Sequence, residues 1–254
     1  MVNVMNDLWE LARQRLLPRR HTALLVALVV AFAVRPLVGD VGVGPIAFSV
    51  TMIVLMLLAL YTIQVDELIG EREKLLAQRK RRSRIAWLLA VPAIVERFAV
   101  AAVRIRWIDI SGLIFWLLFF IYVTGSEFRA VLRQKEVTGE TISLSICIYL
   151  LLGMTWSVLY VLLFYLQPHA FSFGGTALSR TQLFPVLIYF SLTTLSTIGF
   201  GDITPLTLQA RYAAVAEGIT GQFYLAILVA RLVGLYMSRT ASAGEGRQTR
   251  NPES

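Results

Sequence analysis

Long apolar runs separated by short charged connections constrain this chain more than any other feature. Hydrophobic residues make up 57% of its 254 residues and charged residues 16%, which is far from the composition of a soluble globular domain. A run of about 20 apolar residues is long enough to cross a bilayer as a helix. The chain is therefore predicted to be an all-α membrane protein with about six transmembrane helices. The runs lie at about 22–38, 44–63, 85–103, 110–124, 142–166 and 208–237.

Basic residues cluster in the connections between these runs, most densely in residues 65–84. Basic connections stay on the cytoplasmic side of a membrane, so we expect this loop and both termini to be cytoplasmic. The termini are the basic segment 1–21 and the tail 238–254, whose polar, glycine-containing composition predicts disorder. Arg35, near the end of the first run, is expected to extend to the far membrane interface.

The formal net charge of +8 is assigned to topology, with a specific site for anionic lipid headgroups as an open alternative. Membrane lipids are therefore expected partners and nucleic acid is not. The expected location is the plasma membrane, or the inner membrane if the source is bacterial.

Residues 197–202, with the sequence Thr-Ile-Gly-Phe-Gly-Asp, interrupt the apolar C-terminal part of the chain. The apolar stretch before them, 184–196, is too short to cross a bilayer and predicts a half-helix that enters the membrane and stops there. Pro185 is expected in its first turn, where no hydrogen bond is lost. Glycine adopts a positive φ without a Cβ penalty, so Gly199 and Gly201 predict a backbone of alternating dihedral hand.

An alternating backbone turns successive carbonyl groups toward one axis, where they replace the hydration shell of a cation such as K⁺. We refer to residues 197–201 as the filter segment. The residues expected to bind K⁺ through their carbonyl oxygens, with the Thr197 hydroxyl in addition, are Thr197, Ile198, Gly199 and Phe200. The side chains of Ile198 and Phe200 are expected to turn outward into packing.

The filter segment resembles that of the potassium channels, a family within the tetrameric pore-loop cation channels, whose signature is Thr-Val-Gly-Tyr-Gly-Asp. Thr197, Gly199, Gly201 and Asp202 are identical to it, and the likeness continues into the following helix. The resemblance implies a bacterial-type channel, a partnership with three further copies of the chain, no cofactor beyond the permeant K⁺, and no enzyme activity. An accessory subunit is not specified. No internal repeat is evident, so each chain supplies one filter strand.

Hydropathy and charge predict a four-span N-terminal module, residues 22–135, and the resemblance, which is best over residues 142–234, identifies residues 136–237 as a pore module. The pore module comprises an outer helix, an external turret, the pore helix, the filter and an inner helix. In voltage-gated relatives the fourth span carries arginine at every third position, whereas residues 110–124 contain neither arginine nor lysine. Steep voltage dependence is therefore not expected.

Several residues around the filter are candidates for its support. Ser196 lies at the end of the pore helix, and Asp202 stands at the outer mouth, either braced by a hydrogen bond or in a ring of carboxylates. Tyr189 and Thr193 occupy positions where family members often have a tryptophan or a carboxylate. These departures leave the cation preference in place and bear on the stability of the filter.

The inner helix carries three further candidates. Gly221 aligns with the hinge glycine of the family, and Gly218 lies on the same face. Close helix packing through small residues is an equal explanation for both. Glu217 is either an acidic group facing a cavity or a structural partner for a basic or hydroxyl group behind the filter.

These features predict a potassium-selective channel that conducts passively. Two alternatives remain open, namely a weakly selective cation channel of the same architecture and a nonconducting, regulatory or transporter subunit. The sequence contains no metal-ligand cluster, phosphate-binding loop or nucleophile-base pairing that would indicate an enzyme.

Overall fold

The computed structural model describes residues 20–39, 43–69, 84–92, 94–95, 106–134, 136–175 and 178–248. These residues are almost entirely helical. The main elements are α1 (Arg20–Val38), α2 (Gly44–Ile69), α3 (Arg106–Arg133), α4 (Gly139–Leu166), β1 (Phe171–Ser172), α5 (Arg180–Leu195), β2 (Thr204–Pro205) and α6 (Leu208–Gln248). Residues 84–92 and 94–95 are also helical.

Five helices in the described ranges are long and apolar enough to cross a membrane: α1, α2, α3, α4 and α6. The predicted all-α membrane fold is thus confirmed, and the chain is a multi-pass membrane protein. Of the predicted run 85–103, residues 85–92 and 94–95 are helical. Its remaining residues, and the basic residues 1–19 and 70–83, lie outside the described ranges.

Several helices extend beyond the apolar runs that predicted them. α3 covers Arg106–Arg133 instead of 110–124, because helical hydrogen bonding continues through polar residues once a helix has formed. For the same reason α2 continues into the predicted basic loop as far as Ile69. α6 continues to Gln248, so residues 238–248 are helical and the disorder predicted for the tail is wrong there. Residues 249–254 lie outside the described ranges.

One hydrophobic core joins the N-terminal helices to the helices that flank the filter. It contains Leu24 of α1, Leu55 of α2, Phe119 of α3, Met154 of α4 and Ile188 of α5. The core therefore extends across the predicted boundary between residues 135 and 136. Burial of apolar side chains on both sides of that boundary holds the two predicted modules together.

Polar contacts between helix ends define the two ends of the bundle. The Thr22 hydroxyl at the start of α1 donates to the Glu140 carboxylate at the start of α4, 2.6 Å away. At the opposite end, Asp109 near the start of α3 pairs with Arg180 at the start of α5. The start of α5 therefore lies at the end of the bundle where α1 finishes and α3 begins.

The long helix α6 is attached to α4 and α3 by polar side chains. The Tyr224 hydroxyl donates to Ser145 O, 2.5 Å away in α4. Arg231 Nη2 donates to Leu132 O and to Gln134 O, at 2.6 and 2.8 Å, and so caps carbonyl groups at the C-terminal end of α3.

A two-stranded ribbon joins the segment after α4 to the segment after the filter. β1 and β2 are antiparallel, with Phe171 opposite Pro205 and Ser172 opposite Thr204. Leu206 N extends the pairing by donating to Ala170 O at 2.8 Å. The ribbon was not predicted, because two residues are too few to show an alternating apolar pattern.

Candidate functional site

The half-helix predicted before the filter is α5, which contains 16 residues, Arg180–Leu195. At 1.5 Å per residue it is about 24 Å long, which is shorter than the apolar thickness of a bilayer. Its last residue, Leu195, contacts Gly221 in α6, and Gly221 lies in the middle of the membrane-spanning part of that helix, Leu208–Leu235. α5 therefore starts at one end of the bundle and stops near half depth.

Pro185 occupies the interior of α5. The prediction that it lies in the first turn is wrong, because the helix begins at Arg180 and Pro185 is its sixth residue. Proline has no N–H group, so the carbonyl of Thr181, four residues earlier, lacks its usual helical partner. Arg35 Nη2 of α1 donates to that carbonyl. A side chain from the first helix thus supplies the hydrogen bond that the proline removes.

Arg35 is buried where it makes this contact. Only 7% of its surface is exposed, and its Cζ lies 5.6 Å from the centroid of the Phe48 ring in α2. Arg35 is therefore held against protein groups at the end of the bundle where α1 finishes. Its cation contacts an aromatic face and backbone carbonyls, and it links α1 and α2 directly to α5.

In the filter segment the sign of φ alternates from residue to residue, as predicted. Gly199 and Gly201 have φ values of 54° and 79°, which confirms the positive φ expected at both glycines. Thr197 also has a positive φ, 59°, and this was not predicted. A left-handed conformation in a residue other than glycine costs on the order of 1–3 kcal/mol, so the surrounding contacts hold Thr197 in place.

Two backbone N–H groups of the filter segment point at the end of α5. Ile198 N and Gly199 N both donate to Thr193 O, at 2.8 and 3.2 Å. In a trans peptide the C=O points opposite to the N–H. The carbonyl groups of Thr197 and Ile198 therefore face away from α5, on the side where the proposed ion path would run. Thr193 acts through its backbone, while its hydroxyl donates to Phe190 O at 2.9 Å.

The apolar side chains of the filter segment lie on its outer side. Ile198 and Phe200 are 58% and 67% exposed in the single chain. The Phe200 ring stacks on Tyr189 of α5, with centroids 6.1 Å apart and planes 4° apart. Asp202 interacts with the Tyr189 hydroxyl, which favours the bracing role among the two alternatives for this carboxylate. Ser196 lies at the end of α5, where its hydroxyl donates to Leu192 O at 2.6 Å.

Glu217 is fully buried behind the filter, with 0% of its surface exposed. Its carboxyl oxygens contact two hydroxyl groups, Tyr160 of α4 and Ser191 of α5. Of the two alternatives, an acidic group facing a cavity or a partner for a hydroxyl group, this geometry favours the second. Gly221, one turn further along α6, contacts the end of α5, which favours close packing as the explanation for that glycine.

Two residues of this region, Tyr160 and Ser191, were not singled out in the sequence, and the contact made by a third, Arg35, was not predicted. Tyr160 and Ser191 lie 57 and 26 residues from Glu217, and Arg35 lies 146 residues from Thr181. No local spacing relates such positions. The sequence contained two signals for these contacts. Inside a helix, Pro185 leaves the carbonyl four residues earlier without its helical partner. Glu217 lies in an apolar helix and therefore needs a polar partner.

Residues 137–238 match the model of a known protein family. That family is described as an ion channel. The match covers α4, the ribbon, α5, the filter segment and the membrane-spanning part of α6, and it leaves out α1, α2 and α3. The features described above therefore lie within the matched region, apart from Arg35 and Phe48.

A curated protein similar to this chain is two-pore potassium channel 4 of Arabidopsis thaliana, with 34% identity over 112 residues. The similar stretch is 43% of this chain and 38% of that protein. No solved structure matched the chain.

Proposed function

We propose that four copies of this chain form a potassium-selective channel that lets K⁺ pass down its electrochemical gradient. The proposal rests on the backbone of the filter segment. Every second residue, Thr197, Gly199 and Gly201, has a positive φ, and the segment starts near half depth of the bundle. Such a backbone supplies layers of carbonyl oxygens that replace the water around a cation. The match to an ion-channel family and the potassium-channel relative support it.

Assembly follows from the backbone of the filter segment. Irregular backbone at membrane depth is tolerated only where protein buries it or where it lines water. One chain supplies one filter strand and leaves Ile198 and Phe200 largely exposed. A closed ring of identical chains surrounds a central axis with carbonyl groups and gives these apolar side chains neighbours to pack against. The resemblance to potassium channels sets the number of chains at four.

The end of α5 adds an electrostatic contribution. The C-terminal end of a helix carries a partial negative charge of about half an electron, and α5 ends at Leu195, directly before the filter segment. In the assembled ring the four helix ends favour a cation on the inner side of the filter. K⁺ is the permeant ion in this proposal, and conduction requires no cofactor and no enzymatic step.

The orientation in the membrane follows from the distribution of basic residues. Arg20, Arg129 and Arg133 lie at the end of the bundle where α3 finishes and α4 starts. The basic residues 70–84 follow α2, which runs toward this end from Gly44. Basic residues stay on the cytoplasmic side and attract anionic lipid headgroups. The filter then opens toward the outside, and both termini are cytoplasmic.

The decisive experiment measures the reversal potential of purified protein in planar bilayers with K⁺ on one side and Na⁺ on the other. We expect a value near the potassium equilibrium potential. A value near zero with sustained current would favour the weakly selective cation channel. Absence of current at every voltage would favour a nonconducting or transporter subunit.

Gly199→Ala tests the filter assignment directly. A Cβ at Gly199 meets nothing within 4 Å, but φ there is +54°, so the substitution strains the backbone by about 1–2 kcal/mol without a steric clash. We expect the K⁺ preference to fall sharply while the protein still inserts in membranes. Gly234→Ala in α6 is the matched control, because its Cβ also meets nothing within 4 Å and its φ is not positive. Unchanged selectivity in Gly199→Ala would contradict the assignment.

A further inference from the structure

The carboxyl group of Glu217 connects three helices around the filter. Oε2 is 2.5 Å from the Tyr160 hydroxyl of α4, and Oε1 contacts the Ser191 hydroxyl of α5. Glu217 itself belongs to α6. All three side chains are fully buried, so water does not compete for these hydrogen bonds. The outer helix, the pore helix and the inner helix therefore meet at one carboxyl group.

The hydrogens available at this junction accommodate a neutral carboxyl group. Ser191 Oγ has one hydrogen but lies within hydrogen-bond distance of two oxygens, Gly153 O at 2.7 Å and Glu217 Oε1. Gly153 O also accepts from the Ser157 hydroxyl, at 2.6 Å, and a backbone carbonyl has no hydrogen to donate, so the single Ser191 hydrogen serves either Gly153 O or Glu217 Oε1. A neutral carboxyl group supplies a further hydrogen, so that Glu217 donates to Ser191 Oγ, Ser191 donates to Gly153 O and Tyr160 donates to Oε2.

The charges around Glu217 agree with a neutral group. In the described part of the chain, no lysine, arginine or histidine forms an ion pair with it. The other titratable groups that face it are tyrosines of α4, Tyr160 in direct contact and Tyr149 at longer range, and α5 contributes only the Ser191 hydroxyl. An ionised carboxylate without a positive partner is strongly disfavoured in a buried site.

We propose that Glu217 is held as a neutral carboxylic acid and that this acid positions the filter by joining Tyr160, Ser191 and the inner helix. Ser191 lies half a turn before Thr193, whose carbonyl binds the N–H groups of Ile198 and Gly199. Gly221 lies on the same face of α6 as Glu217 and contacts the end of α5. Movement at Ser191 is therefore transmitted to the filter backbone. The effect on selectivity rests on the proposed channel function, whereas the neutral acid does not.

Substitutions at Glu217 separate this role from a charged one. Glu217→Gln keeps both links, because the amide oxygen accepts from Tyr160 and the amide nitrogen donates to Ser191. Glu217→Leu has similar size and removes both. We expect the Gln variant to keep the wild-type K⁺/Na⁺ permeability ratio and the Leu variant to lose about tenfold or more, because two buried hydroxyl groups lose partners. Loss of selectivity in the Gln variant, or a wild-type ratio in the Leu variant, would overturn the proposal.

If the Glu217→Leu variant does not fold, Ser191→Ala and Tyr160→Phe test the positioning role instead. Each removes one hydroxyl group and leaves the shape of the site intact. Each is expected to lower the permeability ratio while the yield of assembled protein stays at the wild-type level. A wild-type ratio in both variants would overturn the positioning role.

Infrared difference spectroscopy tests the neutral acid without any ion flux. The wild-type minus Glu217→Gln spectrum is expected to contain the carbonyl stretching band of a protonated carboxyl group at neutral pH. Carboxylate bands in its place would overturn the proposal even if the protein conducts K⁺. If the protonated band is present and the protein conducts nothing, the channel function fails while the neutral acid remains. The two failures are thus distinguishable.

Discussion

There is no room for a side chain at Gly221, between α6 and α5. An ideal Cβ there would lie 2.3 Å from Leu195 O and 3.1 Å from Leu195 Cδ1. At Gly218, one turn earlier, the nearest atom to such a Cβ is Thr194 O at 3.9 Å, an ordinary contact. The absence of a side chain at Gly221 lets α6 approach the last carbonyl of α5. This close approach accounts for Gly221 without a hinge, and the hinge stays a prediction.

Gly221→Ala and Gly218→Ala form a matched pair that tests this contact. We expect Gly221→Ala to destabilise the folded protein by about 1–3 kcal/mol, the usual cost of overpacking, and to lower selectivity because the end of α5 moves. Gly218→Ala should be neutral or slightly stabilising, since alanine favours helix more than glycine does. Thermal unfolding in detergent measures both. Equal effects of the two substitutions would contradict the packing explanation.

At the scale of elements, α5 depends on a helix that lies far from it in the sequence. Pro185 interrupts the hydrogen bonding of α5 and leaves the Thr181 carbonyl without its helical partner. Arg35 of α1 donates to that carbonyl. Asp109 of α3 also pairs with Arg180 at the start of α5. The N-terminal helices therefore hold the start of α5. α1 is therefore connected to the filter segment through α5.

A double-mutant cycle measures the contact between Arg35 and the proline site. Arg35→Leu should destabilise the protein by about 1.5–3 kcal/mol, the range for a hydrogen bond to a charged group. Pro185→Ala restores an N–H that bonds to Thr181 O within the helix. In the Pro185→Ala background we therefore expect Arg35→Leu to cost less, with a coupling of about 1 kcal/mol or more. Denaturant unfolding supplies the four stabilities. Strict additivity would show that Arg35 and the proline site are independent.

At the scale of the whole molecule, a single chain leaves large apolar surfaces uncovered. The exposed side chains include those of Ile198, Phe200, Ile219 and Phe223, on the filter segment and on the side of α6 away from α4. Lipid covers part of such a surface in a membrane. In the proposed tetramer neighbouring chains cover the rest, and the filter carbonyls that α5 leaves unpaired receive the ion.

The stability of the proposed tetramer should therefore depend on K⁺. An ion that binds only the assembled filter stabilises it by an amount that reaches about 2.7 kcal/mol at one hundred times the dissociation constant. We expect the tetramer to dissociate at a higher temperature in K⁺ than in Na⁺ at equal ionic strength, as measured by light scattering. The difference should vanish in Gly199→Ala and persist in Gly234→Ala. Identical curves for wild type in the two salts would argue against ion binding by the filter segment.

Sequence patterns predicted the parts of this protein that depend on local physics. Apolar runs predicted five of the described helices, because the length and hydrophobicity of a span are properties of consecutive residues. The alternating glycines predicted positive φ at Gly199 and Gly201, because backbone freedom belongs to the residue itself. Helix ends were less predictable. α6 continues to Gln248, because a helix that has already formed extends through residues with little helix preference of their own.

The contacts that hold the filter were decided only by the tertiary structure. A buried polar group needs a hydrogen-bond partner. The sequence shows that the Glu217 carboxyl group and the carbonyl left without a partner by Pro185 need one, but it does not show which residue provides it. Tyr160, Ser191 and Arg35 satisfy this need because the packing of apolar helix faces, which is not directional, brings those side chains within hydrogen-bond distance. The sequence by itself therefore determined the helices and the conformational freedom of the filter backbone. The tertiary structure decided which residues brace it, because hydrogen bonds require a geometry that only the packed helices provide.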